Sequence, residues 1–305
     1  MLKVSLSTKN INRMRKILLV GSTGNVGKKV GEELKQRGFD VTAVVRNEAK
    51  AKEVISFAHH FVVADVTNKN ALKGVCNGMD VVISTLGKSV SPNERSKPSF
   101  REIDLEANSY VLDEAVQSGV KKFVYVSAFH AEELTHLEYF RVHHEFSERL
   151  KQSGIDYSII KPPALFSAFI DVIEMARKGQ LATLGKGDQR TNPIYEGDLA
   201  KVVVDAIDQT NAVIEVGGKE VLTRKQINEI IQTIVAPGKK VRSVPFGIVK
   251  LFLPILKLVS RNLYDKMAFF VAVMQEDVIA PRVGEMRLEE YVRMKVNAMT
   301  STTTS

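Results

Sequence analysis

The chain has 305 residues, 44% of them hydrophobic and 26% charged, with a formal net charge of +8, the make-up of a globular protein large enough for one sizeable domain and a smaller annex. Its single cysteine, Cys76, excludes an internal disulfide framework and any multi-cysteine metal site, and fits a reducing compartment. The cations are spread along the chain with no zinc, RRM or helix-turn-helix signature, which argues against nucleic acid and for a phosphate-rich small ligand.

The opening MLKVSLSTKNINRMRK holds several cations and no acid, but lacks the continuous apolar core of a secretory signal. Residues 1–15 read as a disordered basic leader on a cytoplasmic protein, with a short organellar presequence as the alternative. ILLVGSTGNVGKKV follows, a strand over Lys16–Val20, a glycine turn and a helix. Gly21, Gly24 and Gly27 are spaced so that the first N–H groups of that helix point outward. Those donors and the positive end of the helix dipole form an anion site, typically for phosphate. Glycine belongs there because a Cβ would hold the phosphate away or collide within the turn.

The next apolar run, Val41–Val45, ends at Arg46. In a dinucleotide fold an acid at this strand end accepts from the ribose 2′-hydroxyl, whereas an arginine suits a 2′-phosphate. The spacing predicts NADP(H) rather than NAD(H). Further strands are predicted at Phe61–Val63, Val81–Thr85, Phe123–Val126 and Tyr157–Ile160, with helical stretches between them. Cys76 lies in one of these stretches as a packing residue. Such alternation implies parallel βαβ units and a sheet with helices on both faces, and the continuous apolarity of the strands fits burial on both sides. Ligands then sit beyond the carboxyl ends of the strands, which singles out Asp65 after the third strand and Thr85 and Gly87 after the fourth. VSPNERSKPSF, polar and carrying two prolines, reads as a lid-like loop or an ordinary exposed crossover.

After Ile160, KPPALFSAF cannot continue a central strand because proline has no N–H. TNPIYEGDLAKVVVDAI reads as a short strand and a helix opened by acids, and VLTRKQINEIIQTIV as a helix with Thr223 as N-cap. Residues 16–161 therefore form the cofactor-binding core. Residues 162–299 complete that core over about 192–216 and otherwise build a substrate-covering lobe, and 300–305 form a disordered tail. Pro245–Met274 is the most hydrophobic stretch, yet Pro254 and several charges argue against a bilayer span. It reads as helices lining an apolar pocket, a homo-oligomer or partner contact, or a surface resting peripherally on a membrane.

The ordered set LVGSTGNVGKKV, VVR, ADVTN, VYVSAF, SGIDYSIIKPP and NPIYEGDLA resembles the NmrA-like, atypical branch of the short-chain dehydrogenase/reductase superfamily over Lys16–Ile207. The C-terminal segment is similar to that of uncharacterised NAD(P)-binding members and, more distantly, to vinyl-reducing chlorophyllide reductases and the 39 kDa subunit of respiratory complex I. The resemblance implies a Rossmann-type doubly wound parallel sheet with a smaller, mostly helical C-terminal substrate lobe. It implies NADP(H) held by Gly21, Thr23, Gly24, Asn25, Val26, Gly27, Arg46, Asp65, Val66, Thr85, Leu86, Gly87, Ser127 and Pro162. Reductases of the wider superfamily pair Tyr-x-x-x-Lys; here Tyr139 is the candidate tyrosine and His143 occupies the lysine position. Ala128 stands where the catalytic serine would follow VYVS, with Ser127 before it, and Tyr139 lies closer to that strand than in the fuller-length pattern. These departures point away from ordinary alcohol–ketone chemistry and toward NADPH-dependent reduction of a small apolar quinone, enone or vinyl-type acceptor, with His143 or His144 as proton source. The alternative is a non-catalytic NADP(H)-binding sensor or scaffold. His130 and His136 show no metal-ligand spacing, so no metal is expected.

Overall fold

The structure is a computed structural model describing residues 14–91, 93–94 and 96–302. Its first half runs β1 (Lys16–Val20), α1 (Asn25–Gln36), β2 (Asp40–Val45), α2 (Glu48–Ala51), β3 (His60–Val63), β4 (Val81–Ser84), α3 (Asn108–Gln117), β5 (Lys122–Val126), α4 (Glu138–Lys151) and β6 (Asp156–Lys161). The six strands expected from the apolar runs are present, each within one residue of its expected ends. There follow α5 (Ile170–Arg177), β7 (Ala182–Leu184), β8 (Arg190–Thr191), α6 (Glu196–Asp205), β9 (Ala212–Glu215), β10 (Leu222–Thr223), α7 (Arg224–Val235) and β11 (Arg242–Val244). The chain closes with α8 (Phe246–Val259), α9 (Arg261–Val273) and α10 (Leu288–Thr302).

The main sheet is ordered β3-β2-β1-β4-β5-β6-β9, and each of its ladders is parallel. The chain winds outward in one direction from β1 and then restarts at β4. The carboxyl ends of β1 and β4 therefore bound the crevice at the topological switch point. One face of the sheet packs on α1 and α6 through Val30, Leu34, Leu199 and Val203, and the other on α3 and α4 through Val111, Leu112, Phe146 and Leu150. A third apolar cluster, including Phe166, Ile173, Ile227, Ile231 and Tyr291, knits α5, α7 and α10 into the lobe.

Several expectations are corrected. Burial on both faces fails for β3, the edge strand of the sheet, where Phe61 and Val63 are 47% and 46% exposed. Cys76 is buried in turns that follow a short 3-10 segment at Lys69–Leu72, not in a regular helix, and burial pushes its thiol up to about 12. Residues 300–302 continue α10 instead of beginning an irregular tail, while 303–305 lie outside the described residues. Most of the basic leader also lies outside them. Arg15, however, pairs with Asp208 at 2.6 Å and sits over the Phe39 ring. Thr223 caps α7 as expected, in a reciprocal capping box with Gln226, and the prolines after Lys161 end β6.

Candidate functional site: a cofactor cradle at the strand ends

Each glycine of the turn has a different reason to be glycine. Gly21 takes φ +78°, and a Cβ there would stand 2.7 Å from the Thr85 carbonyl carbon, so β1 and the loop after β4 touch through bare backbone. A Cβ on Gly27 would stand 2.1 Å from the Gly21 carbonyl oxygen, so the close seating of α1 on the turn depends on its absence. Gly24 is the N-cap of α1, and a Cβ there would meet only the Gly21 oxygen, at 3.3 Å. The packing of the chain thus leaves room at Gly24. Glycine keeps that space open over a helix start that has no side-chain cap and no acid in its first turn. Exposed donors, a favourable dipole and a cradle that a Cβ would fill together fit a pyrophosphate. Thr23 and Asn25 flank this opening, while Val26 is buried beneath it. The Ser22 hydroxyl donates to the Val44 carbonyl at 2.7 Å and ties the turn to β2.

Arg46 is exposed at the end of β2. Asp65 follows β3, where the Ala64 N–H donates to the Val45 carbonyl and so holds the two strand ends together. The Thr67 hydroxyl and backbone N–H donate to Asp65 at 2.8 and 3.0 Å and hold its carboxyl below the ordinary range, with Arg46 adding a smaller favourable charge. Val66 lies half-buried beside it. The Thr85–Gly87 loop is anchored from below: the Ser84 hydroxyl donates to Asn108 Oδ1 at 2.6 Å, and Asn108 Nδ2 donates to the Leu86 carbonyl at 3.3 Å. Farther along the sheet, Ser127 N–H donates to the Ile160 carbonyl and Phe129 N–H to the Pro162 carbonyl, at 2.8 and 3.1 Å. The ends of β5 and β6 are thereby locked together, with Ser127 and Pro162 at their tips. His130 next to them adopts φ +60°, a conformation uncommon outside glycine.

Tyr139 and His143 come together on α4 with ring centroids 4.7 Å apart. Phe100 and Phe140 lie against Tyr139 at 5.4 and 5.1 Å, and Phe269 from α9 at 4.5 Å. His143 is buried. Its Nδ1 lies 2.6 Å from the Tyr125 hydroxyl and its Nε2 3.4 Å from Asp104 Oδ1. Asp104 sits in a π-helical stretch, Arg101–Ala107, that leads into α3, and it accepts the Lys88 backbone N–H at 3.2 Å. Burial lowers the His143 imidazole to about 3 and raises the Asp104 carboxyl well above its ordinary value. The imidazole is therefore neutral near pH 7, and burial disfavours the charged form of the acid beside it. Burial also raises the Tyr139 hydroxyl, which keeps its proton. The position that carries a lysine in the Tyr-x-x-x-Lys arrangement holds a neutral ring.

The loop expected to act as a lid is strapped across this region. Glu94 accepts from Lys88 Nζ at 2.8 Å and from Lys266 Nζ of α9 at 2.9 Å, while Ser91 bonds Asp171. An open surface hollow of about 490 Å³, lined by Lys29, Glu32, Tyr195 and Lys201 among others, lies on the outer side of α1 and contains none of the expected cofactor residues.

Residues 21–210 match the protein family described as NAD(P)H-binding. The chain belongs to this NAD(P)H-binding family. The match begins at the first glycine of the turn and runs through α6 and its following turn. Among known proteins, the chain is 29% identical to the chloroplastic divinyl chlorophyllide a 8-vinyl-reductase of Arabidopsis thaliana, over 93% of this chain and 74% of that protein. It is 20% identical to the photosystem II assembly factor Ycf39 of Trieres chinensis, over 83% and 80%. Its fold matches that of an NADPH-dependent quinone oxidoreductase of Escherichia coli, with a TM-score of 0.69, 21% identity and coverage of 92% of this chain and all of the other. The resemblance to the NmrA-like, atypical short-chain dehydrogenase/reductase group is in accord with these findings.

Within this NAD(P)H-binding chain, the sequence reading missed Ser22, Asp104, Asn108, Tyr125 and Lys88. A polar signal was present in REIDLEAN, where an acid and an amide four residues apart sit among helix formers. Only the fold shows that both point inward, onto the loop after β4.

Proposed function

We propose that the protein is an NADPH-dependent reductase that saturates an activated carbon–carbon double bond or reduces a quinone in a small apolar acceptor. The observation that carries this reading is the packed aromatic cluster of Phe100, Tyr139, Phe140 and Phe269 around a neutral His143. The likeness to a vinyl reductase supports the acceptor class. In this proposal Gly24 and the α1 N-terminus hold the pyrophosphate, Arg46 the 2′-phosphate, and Thr85–Gly87, Ser127 and Pro162 the nicotinamide half. NADPH held by these residues would supply the hydride. The chain must then orient the acceptor, exclude water and provide one proton. In this proposal an apolar acceptor seats beside the aromatic cluster, and the Tyr139 O–H donates to the acceptor oxygen or to the carbon left electron-rich. His143 acts as a positioning residue: bridged between Tyr125 and Asp104, it holds α4 against β5. It does not lower the Tyr139 pKa as a lysine cation would, so alcohol oxidation is disfavoured, since it requires a tyrosinate near neutral pH.

The test is NADPH consumption with quinone, enone and vinyl acceptors. Tyr139→Phe is expected to lower turnover by about 100-fold or more, the scale of a lost general acid, while leaving NADPH affinity unchanged. Wild-type turnover in this variant would remove Tyr139 from the chemistry. Arg46→Ala is expected to erase the preference for NADPH over NADH in a fluorescence titration, and an unchanged preference would unseat the 2′-phosphate assignment. A second reading, a cofactor-binding assembly factor without turnover, is favoured by Ala128 at the expected serine position and by the likeness to an assembly factor. It predicts tight NADPH binding with no consumption by any acceptor.

A further inference from the structure

Helix α8, FGIVKLFLPILKLV, has no buried residue. Ile248, Leu251, Phe252, Ile255, Leu258 and Val259 are 53, 73, 54, 54, 89 and 76% exposed. At 3.6 residues per turn these six occupy one side of the helix, within about a third of its circumference. Lys250 and Lys257 fall on the opposite side, and the half-buried residues between them, Val249, Leu253 and Leu256, form the remaining face. An exposed apolar stripe of this size is exceptional on a globular surface and marks an interaction site.

Charge identifies the occupant. From Ala236 to Tyr264 the chain carries Lys239, Lys240, Arg242, Lys250, Lys257 and Arg261, with no Asp or Glu. Arg261 pairs with Asp265 at 3.0 Å. The other five cations are exposed and make no ion pair among the described residues. Six cations without an acid across this stretch complement an anionic surface, which would neutralise the five left unpaired. Fourteen helical residues span about 21 Å, short of the roughly 30 Å of a hydrocarbon core. No described helix is long and apolar enough to cross a membrane. An apolar stripe backed by lysines is the geometry of a helix lying in the plane of the interface, its stripe in the acyl boundary and its cations at headgroup level.

We infer that α8 is a membrane-docking helix that seats this protein on an anionic lipid bilayer. The adjoining helix α9 carries Phe269 onto Tyr139 and Lys266 onto Glu94.

The test is co-sedimentation of the full chain with phosphatidylcholine vesicles, with and without phosphatidylglycerol, over a range of salt. Retention is expected on the anionic vesicles only and should fall as salt rises. Leu251→Gln combined with Leu258→Gln, at solvent-facing positions, is expected to weaken retention by about tenfold or more with an unchanged melting temperature and unchanged NADPH binding. Lys250→Gln with Lys257→Gln should weaken retention on anionic vesicles and reduce its salt dependence. Absence of retention on anionic vesicles would overturn the inference, as would equal retention on neutral ones. A concentration-dependent dimer abolished by the leucine variant, without vesicle binding, would assign the face to a second copy instead.

Discussion

Gly27→Ala is expected to abolish NAD(P)H binding and to lower stability by about 3 kcal/mol, the upper end of the range for overpacking a tight site. The new Cβ would stand 2.1 Å from the Gly21 carbonyl oxygen and 2.8 Å from its carbonyl carbon. Both are backbone atoms. They cannot swing aside as a side-chain tip would, and Gly21 is itself held by the Thr85–Leu86 backbone on its far side. Relief requires α1 to lift from the turn, which moves the very N–H groups proposed to face the phosphates. Gly24→Ala supplies the contrast. Its Cβ meets only one chain atom, at 3.3 Å, so the melting temperature should hold while affinity falls, because the methyl group occupies space reserved for the pyrophosphate. Thermal melts and nicotinamide fluorescence separate the two outcomes, with no tryptophan emission underneath. Wild-type affinity in Gly27→Ala would refute the geometry assigned to the turn.

Glu94→Gln should be the most costly change on the side of the strap. The Lys88 and Lys266 side chains are only 3% and 5% exposed, and both end on Glu94, whose own side chain is 23% exposed. Removing the carboxylate leaves two buried cations facing each other. Breaking a buried pair in this way costs about 3–5 kcal/mol, chiefly through the uncompensated charge. Substituting Lys266→Met in the same chain should restore part of the loss, since it removes one of the stranded charges.

The pH dependence of stability gives an independent check. Burial works against the Glu94 carboxylate, yet hydrogen bonds from Lys88, Ser96 and Lys266 hold it down to about 2. A depressed acid contributes stability that is present above its unfolded value and lost as pH falls through the folded one. That contribution should therefore disappear between roughly pH 4.5 and 2, and Glu94→Gln should lack it. His143, lowered to about 3, also costs stability as pH falls below its unfolded value. The buried Asp104 acts with the opposite sign, since its raised carboxyl favours the fold at low pH. Neither residue is changed by the substitution. The difference between wild type and variant, measured by denaturant melts across the acid limb, isolates Glu94. Parallel curves would mean that the strap carries no charge-dependent stability.

The strands and the glycine turn were legible because local rules determine them. Runs such as ILLV and VVIS are apolar without alternation, which only a strand covered on both faces tolerates, and GSTGNVG requires backbone freedom that other residues lack. The place of Arg46 at the end of β2 was legible for the same reason. The parallel βαβ units and the family followed from those local signals taken in sequence, whereas the order of the strands came from the structure.

Contacts between distant segments decided the rest. Nothing near Tyr139 in the chain indicates that Phe269 closes over it, or that Lys266 ties α9 to Glu94, because these pairs are more than a hundred residues apart. His143 was recognisable as the residue in the lysine position. Its neutrality was not, because charge state depends on burial and on Tyr125 and Asp104, which arrive from β5 and from the segment before α3. The hydrophobicity of Pro245–Met274 was evident in the sequence, but a pocket lining, a protein contact and a membrane face share that composition. Tertiary packing excludes only the pocket lining for the stripe of α8. It uses one side of α8 against α9 and leaves the apolar stripe in solvent, a consequence of where the lobe ends and not of any property of the residues alone.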